Sequence, residues 1–97
     1  MIGVYAVIPV KPEYAQAWES IAQRLVQDTV AHDEGCVFYD FGKRVDGPEG
    51  EYAFLERWMT REALDAHMAA EHHVRANEEW AEYLAGEPEV RIYDYEH

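Results

Sequence analysis

Tyr52-Ala53-Phe54-Leu55-Glu56-Arg57-Trp58-Met59, continuing through Thr60 into Ala63-Leu64-Asp65-Ala66-His67-Met68 and then Glu71-His72-His73, is the stretch on which the fold turns. Its first part alternates as a strand does, so Phe54, Glu56 and Trp58 project to one side and Leu55, Arg57 and Met59 to the other. A carboxylate therefore sits between two aromatics. Thr60 carries the hydroxyl of an N-cap, and Glu62 puts an acid in the first turn. Ala63, Leu64, His67 and Met68 then recur at helical spacing. His67 is expected on the apolar face of a helix that follows the strand directly.

Working outward, Ile2 to Ile8 is almost continuously apolar, as a strand buried on both faces would be, and Pro9 weakens its pairing. Pro12 and Glu13 suit the first turn of a helix. Tyr14, Trp18, Ile21, Leu25, Ala22, Val26 and Thr29 form its apolar stripe, and Gly35 is placed to close it in the left-handed conformation. Cys36 to Val45 reads as a second strand, with Val37, Tyr39 and Phe41 on one face and Cys36, Phe38 and Asp40 on the other. Asp46-Gly47-Pro48-Glu49-Gly50 is dense in turn residues and joins it to the central strand as a hairpin. Beyond a joint at Glu71-His72-His73, Val74, Asn77, Ala81 and Leu84 restart a helical pattern that Gly86 and Pro88 terminate. Val90 to Tyr95 is the last strand. The order predicts one α+β domain over residues 1–97, an antiparallel sheet in the ferredoxin-like split βαβ arrangement. Two helices cover one face of such a sheet, whereas these strands carry large apolar groups on both. A second copy of the chain is the simplest cover, and a homodimer is expected.

Composition narrows the partners. Hydrophobic residues are 48% of the 97 and aromatics 13%, enough for a core. Against 20 acidic residues stand 8 Lys and Arg, and the net charge of −12 repels phosphate backbones and anionic lipid, so neither nucleic acid nor membrane is an expected partner. The N-terminus lacks a cationic leader and no apolar run is long enough to span a bilayer, which predicts a cytoplasmic protein. Cys36 is the single cysteine, excluding an internal disulfide and a cysteine-based metal cluster. It reads as a small buried strand residue rather than a reactive thiol.

Leu55-Glu56-Arg57-Trp58, followed by Ala63-Leu64-x-x-His67 and a further histidine at His72, resembles the antibiotic biosynthesis monooxygenase family. Val10-Lys11-Pro12-Glu13, Glu34-Gly35-Cys36 and Gly86-x-Pro88 fall in the family's order, so the resemblance covers nearly the whole chain. It implies a homodimer whose two sheets meet in an α+β barrel. It also implies chemistry of the quinol monooxygenase type, without metal or flavin, in which a deprotonated phenol or quinol supplies electrons to dioxygen itself. The expected function is thus a cofactor-independent monooxygenase acting on a small phenolic or quinol substrate. The alternative is a non-catalytic dimeric small-molecule-binding or stress-response module of the same fold. Heme-degrading relatives use an Asn, a Trp and a His where this chain carries Tyr5, His67 and Asn77, and heme degradation is not expected.

Such a reaction needs a water-excluding aromatic pocket and a group that accepts a phenolic proton. His67 is the acid-base candidate, with Glu71 four residues on as its orienting carboxylate; a structural histidine bonded to backbone or to Glu56 is the other reading. Glu56 among aromatics must be paired, neutral or near water. Trp58, Phe54, Glu56, Tyr5 and Tyr39 are the substrate-contacting candidates. His72 is carried with them, although on an unbroken helix it lies about 140° round from His67 and suits a helix break or the surface. His32 and His73 are expected to face solvent. No H-E-x-x-H and no His pair at i, i+4 is present, so no metal is expected, and Glu71-His72-His73 is the one run that could hold an ion weakly. No glycine-rich strand-to-helix turn is placed to cradle a nucleotide.

Overall fold

Alternation and capping produce the elements the sequence announces. In the structure, a computed structural model that describes residues 1–96, the chain runs β1 (Ile2–Pro9), α1 (Ala15–His32), β2 (Cys36–Lys43), β3 (Glu51–Trp58), α2 (Arg61–Ala69), α3 (Glu71–Trp80) and β4 (Glu89–Asp94). Short 3₁₀ turns at Pro12–Tyr14 and Ala81–Tyr83 lead into α1 and out of α3. The sheet order is β2-β3-β1-β4 with every neighbour antiparallel, the ferredoxin-like split βαβ arrangement. Thr60 caps α2: its Oγ1 accepts from the Ala63 N–H at 3.1 Å. Gly50 has φ +92° and lies against the Val10 carbonyl, which accepts no side chain at that distance; the Val10 N–H in turn donates to Gly50 O at 2.8 Å. Among the described residues no helix is long and apolar enough to cross a membrane.

The core lies between the helices and one face of the sheet. Val4, Ala6 and Ile8 of β1, Tyr39 of β2, and Tyr52, Phe54 and Trp58 of β3 meet Trp18, Ala22 and Leu25 of α1, Leu64 of α2, and Ala76 and Trp80 of α3. Trp18 is its centre, fully buried, with its ring 4.4 Å from Tyr52, 5.3 Å from Trp80 and 5.3 Å from Phe41. Each such ring withdrawn from water contributes about 1.5–3 kcal/mol.

Four details depart from the sequence reading. β1 is buried on one face only, and Tyr5 on the other is 39% exposed, because the helices reach just one side of the sheet. In β2 the register slips between Cys36 and Phe38, so Cys36 pairs with Trp58 and joins Tyr39 and Phe41 on the helix side. Val37 is the extra residue of this β-bulge and is exposed, since a bulge inserts one residue and re-aims those before it. In α3 the buried positions are Ala76 and Trp80, while Val74 and Asn77 face outward. The strong pull of an indole toward the core sets the helix phase there. Tyr14 lies in the 3₁₀ turn rather than on the α1 stripe, stacked on Tyr83 at 4.8 Å.

The sheet face away from the helices is left open. Phe38 at 49%, Leu55 at 53% and Tyr93 at 44% exposure lie there with Tyr5 and Arg57, and Arg57 sits over the Tyr95 ring at 4.8 Å. Shallow hollows of about 360 and 370 Å³ run across this surface.

Two substitutions test the core. Trp18→Ala is expected to cost about 3–5 kcal/mol in urea unfolding, the range for deleting a fully packed aromatic. Thr29→Val is expected to raise the unfolding midpoint, because the Thr29 hydroxyl is buried without a partner among the described residues and such a group costs about 1–3 kcal/mol.

Candidate functional site

Three segments distant in sequence converge beside the last turn of α2. Asp33 caps the C-terminus of α1, its N–H donating to Thr29 O at 3.0 Å. Gly35, at φ +78°, then turns the chain into β2, and its carbonyl accepts from the Met59 N–H at 2.8 Å. A side chain at Gly35 would strike Ala63, so this glycine lets the Asp33 loop lie against α2. His67 lies in the last turn of α2 and is 1% exposed. Ala70, at φ −66° and ψ 144°, is at once the C-cap of α2 and the N-cap of α3. That extended residue breaks the helical phase between His67 and His72.

The break decides the site. His67 Nδ1 lies 2.6 Å from Asp33 Oδ2, and His72 Nε2 lies 2.9 Å from Asp33 Oδ1. One carboxylate thus bridges two imidazoles. The His67 ring packs against Trp58 at 4.7 Å, Tyr39 at 4.9 Å and His73 at 4.7 Å. Burial drives its pKa down to about 4, against the pull of the Asp33 hydrogen bond, so at neutral pH the ring is uncharged. A neutral imidazole facing a carboxylate must present its proton to it, which puts N–H at Nδ1 and leaves the Nε2 lone pair free. Nε2 is buried and no described group pairs with it.

The neighbouring groups are tuned by the same burial. Glu56 is raised to about 7 by desolvation, opposed by the Trp58 indole N–H, which donates to its Oε1 at 3.0 Å. Tyr39, opposite Glu56 in the β2–β3 register, is pushed far up by burial and then by the Glu56 and Asp33 charges. The Cys36 thiol is raised by burial and by the same two carboxylates, the reverse of what a reactive thiolate requires. His73 is lowered by burial, and its Nδ1 faces the Met68 carbonyl at 3.2 Å. A cleft of about 600 Å³ opens over the group, lined by Asp33, Gly35, Met59, Ala63, Ala66 and His67 among others.

Of the residues singled out from sequence, His67, Trp58, Tyr39, Glu56 and His72 come together, and Phe54 adjoins them with its ring 5.3 Å from Tyr39. Tyr5 does not: it lies on the open face of the sheet. Glu71 is not the partner of His67 but is paired with Arg75 on the outside of α3. His73 is half-buried against His67 instead of solvent-facing, whereas His32 is exposed at the rim of the cleft. Asp33 is the residue that sequence reading missed. Its position between a helix end and Gly35 reads as a cap, and its 34-residue separation from His67 carries no periodic signal.

The comparisons with known proteins agree with this architecture. A sequence model of the family described as "Antibiotic biosynthesis monooxygenase" matches residues 1–79. A Bacillus subtilis (strain 168) protein named "Putative monooxygenase YcnE" is 39% identical over 72 residues, 74% of this chain and 74% of that protein. Rv0793 of Mycobacterium tuberculosis, named "Putative monooxygenase", is 30% identical over 83 residues, 86% of this chain and 79% of that one. Its solved structure superposes with a TM-score of 0.88 at 26% identity, covering 99% of this chain and 95% of that chain. A crystal structure from Caulobacter crescentus CB15, described as a "putative antibiotic biosynthesis monooxygenase", superposes with a TM-score of 0.93 at 28% identity over 99% of this chain and 90% of that one.

The raised Glu56 pKa has a measurable consequence. The folded state binds this proton more tightly than the unfolded chain, so the contribution favours folding below about pH 4.5 and is lost as pH rises through about 7. Glu56→Gln, which cannot ionise, is expected to gain about 3 kcal/mol relative to wild type between about pH 4 and about pH 8 in urea unfolding. A stability difference that stays flat over that range would mean Glu56 titrates as a solvated carboxylate.

Proposed function

We propose that this chain, which belongs to the antibiotic biosynthesis monooxygenase family, oxidises a small phenolic or quinol substrate with dioxygen and draws every electron from that substrate. One observation carries the reading: His67 has its Nδ1 committed to the buried Asp33 and its Nε2 lone pair buried and unpaired. A carboxylate that fixes one ring nitrogen leaves the other as a positioned base. Trp58, held by its bond to Glu56, and Tyr39 and Phe54 supply an aromatic wall that excludes water. Nε2 is buried, so a substrate entering from the cleft lined by Asp33 and His67 has to displace the side chains that cover it.

The atoms balance without an external reductant. The phenolic proton passes to His67 Nε2, and one electron passes from the phenolate to dioxygen. The radical pair closes a carbon–oxygen bond on the ring, and the proton held by His67 returns to the resulting peroxide. Loss of water then breaks the O–O and ring C–H bonds. The sum is one phenol and one dioxygen giving one quinone and one water. Asp33 stabilises the imidazolium that forms in between, because its charge lies 2.6 Å from the ring.

The open sheet face supports a homodimer as the working form. Tyr5, Phe38, Leu55 and Tyr93 lie together there, each 39–53% exposed, and contiguous apolar surface of this kind marks a contact face. A non-catalytic binding module of the same fold is the second reading. It is favoured by the filling of the helix–sheet interior with Trp18, Phe54, Trp58 and Trp80.

Oxygen uptake after anaerobic loading with menadiol or a polycyclic hydroquinone separates the two readings. The oxygenase is expected to exceed the uncatalysed oxidation, and His67→Ala to lose about 10²–10⁴ of that rate. Tryptophan quenching by the same compounds with no uptake across the panel establishes the module instead. In sedimentation, wild type is expected to run as a dimer and Leu55→Asp as a monomer; a wild-type monomer overturns the assembly.

A further inference from the structure

We propose that Asp33, His67 and His72 form a binding site for a divalent transition-metal ion of the zinc or copper class, open on one side to the cleft above them. The donor chemistry is two imidazole nitrogens and one carboxylate, the mixture such ions take from proteins. The three ligand atoms lie within 4.8 Å of one another and come from three segments: the α1 cap, the end of α2 and the first turn of α3.

The spacing is close to what an ion imposes. Bonds of roughly 2.1 Å in a tetrahedral shell put neighbouring ligand atoms about 3.4 Å apart. From the single oxygen Asp33 Oδ2 the imidazole nitrogens of His67 and His72 lie 2.6 and 3.1 Å away, so each distance needs to open by less than one ångström, while the three ligand atoms as a set, now within 4.8 Å, draw together. Charge points the same way. The Asp33 side chain is 10% exposed, and the only basic groups paired with it among the described residues are these two imidazoles. A nearly buried carboxylate without Lys or Arg, in a chain of net charge −12, favours a cation in that position. Access is available as well: Asp33 and His67 line the cleft, and the His72 side chain is 20% exposed. His73 lies near but is not a ligand, since its Nδ1 faces the Met68 carbonyl and its Nε2 faces the Asn77 amide.

The site stands on this geometry and not on the monooxygenase reading. Where that reading holds, the ion acts as an inhibitor, because it takes Asp33 and the Nδ1 of His67 away from the arrangement that keeps Nε2 basic. The two ideas therefore fail separately: ion binding is read spectroscopically, without substrate.

The test titrates the untagged, chelator-treated full chain with cobalt(II), followed by its visible absorption, and with zinc, followed by calorimetry. One ion per chain is expected, with imidazole nitrogen shifts in NMR at His67 and His72. His72→Ala and Asp33→Asn are each expected to weaken binding at least tenfold, and thermal unfolding verifies that both variants fold. His32→Ala, at the rim of the same cleft, is expected to bind as wild type does. Equal affinity in wild type and His72→Ala, no binding at all, or shifts confined to other imidazoles overturns the site.

Discussion

A sheet with apolar side chains on both faces and helices on only one is the constraint that shapes this molecule. The covered face is packed around Trp18, where Tyr52, Phe41, Phe54 and Trp80 meet its ring from the sheet and from α3. That layer holds α1 and α3 against each other and so fixes where the C-terminus of α1 ends. The open face is different: Tyr5, Phe38, Leu55 and Tyr93 are 39–53% exposed there. One half of the sheet builds the site, and the other half supports the proposed pairing.

Beside the Trp18 layer, the core becomes polar over a short distance. Trp58 is shared between the two regions: its ring packs on His67, and its indole N–H satisfies Glu56. Burial there acts in opposite senses on the two ionisable groups. It holds the His67 imidazole uncharged at neutral pH and lifts the Glu56 carboxyl to a pKa of about 7. A single carboxylate in such surroundings has disproportionate influence, because the low local dielectric strengthens every interaction it makes. Asp33 in this way ties its own loop to the last turn of α2 and the first turn of α3.

The Ala70 break gives that unit its shape. An unbroken helix from Arg61 to Trp80 would carry His72 away from His67, and Asp33 would bridge nothing. The extended backbone at Ala70 costs α2 its continuation, and the Val74 N–H donating to Ala70 O at 3.0 Å restarts the helix with a new phase. The proposed proton chemistry draws on Asp33 and His67, and the proposed ion site adds His72 to the same pair.

Sequence by itself determined the architecture, since alternation along β3, the Thr60 cap, the α1 stripe and the turn glycines are local signals that tertiary contacts reinforce. It also determined that His67 faces inward, because helical periodicity puts it on the apolar face of α2, whereas its packing on Trp58 was set by the tertiary structure. Other features were decided only in three dimensions. The side of the sheet to which Cys36 belongs depends on a bulge, and a one-residue slip reverses every side chain before it. The phase of α3 depends on where Trp80 finds space. The partner of His67 is Asp33 rather than Glu71, a pairing across 34 residues that no periodicity encodes. Local periodicity specifies which way a side chain points, whereas the group it meets is specified by how separate elements stack, and that is settled by packing alone.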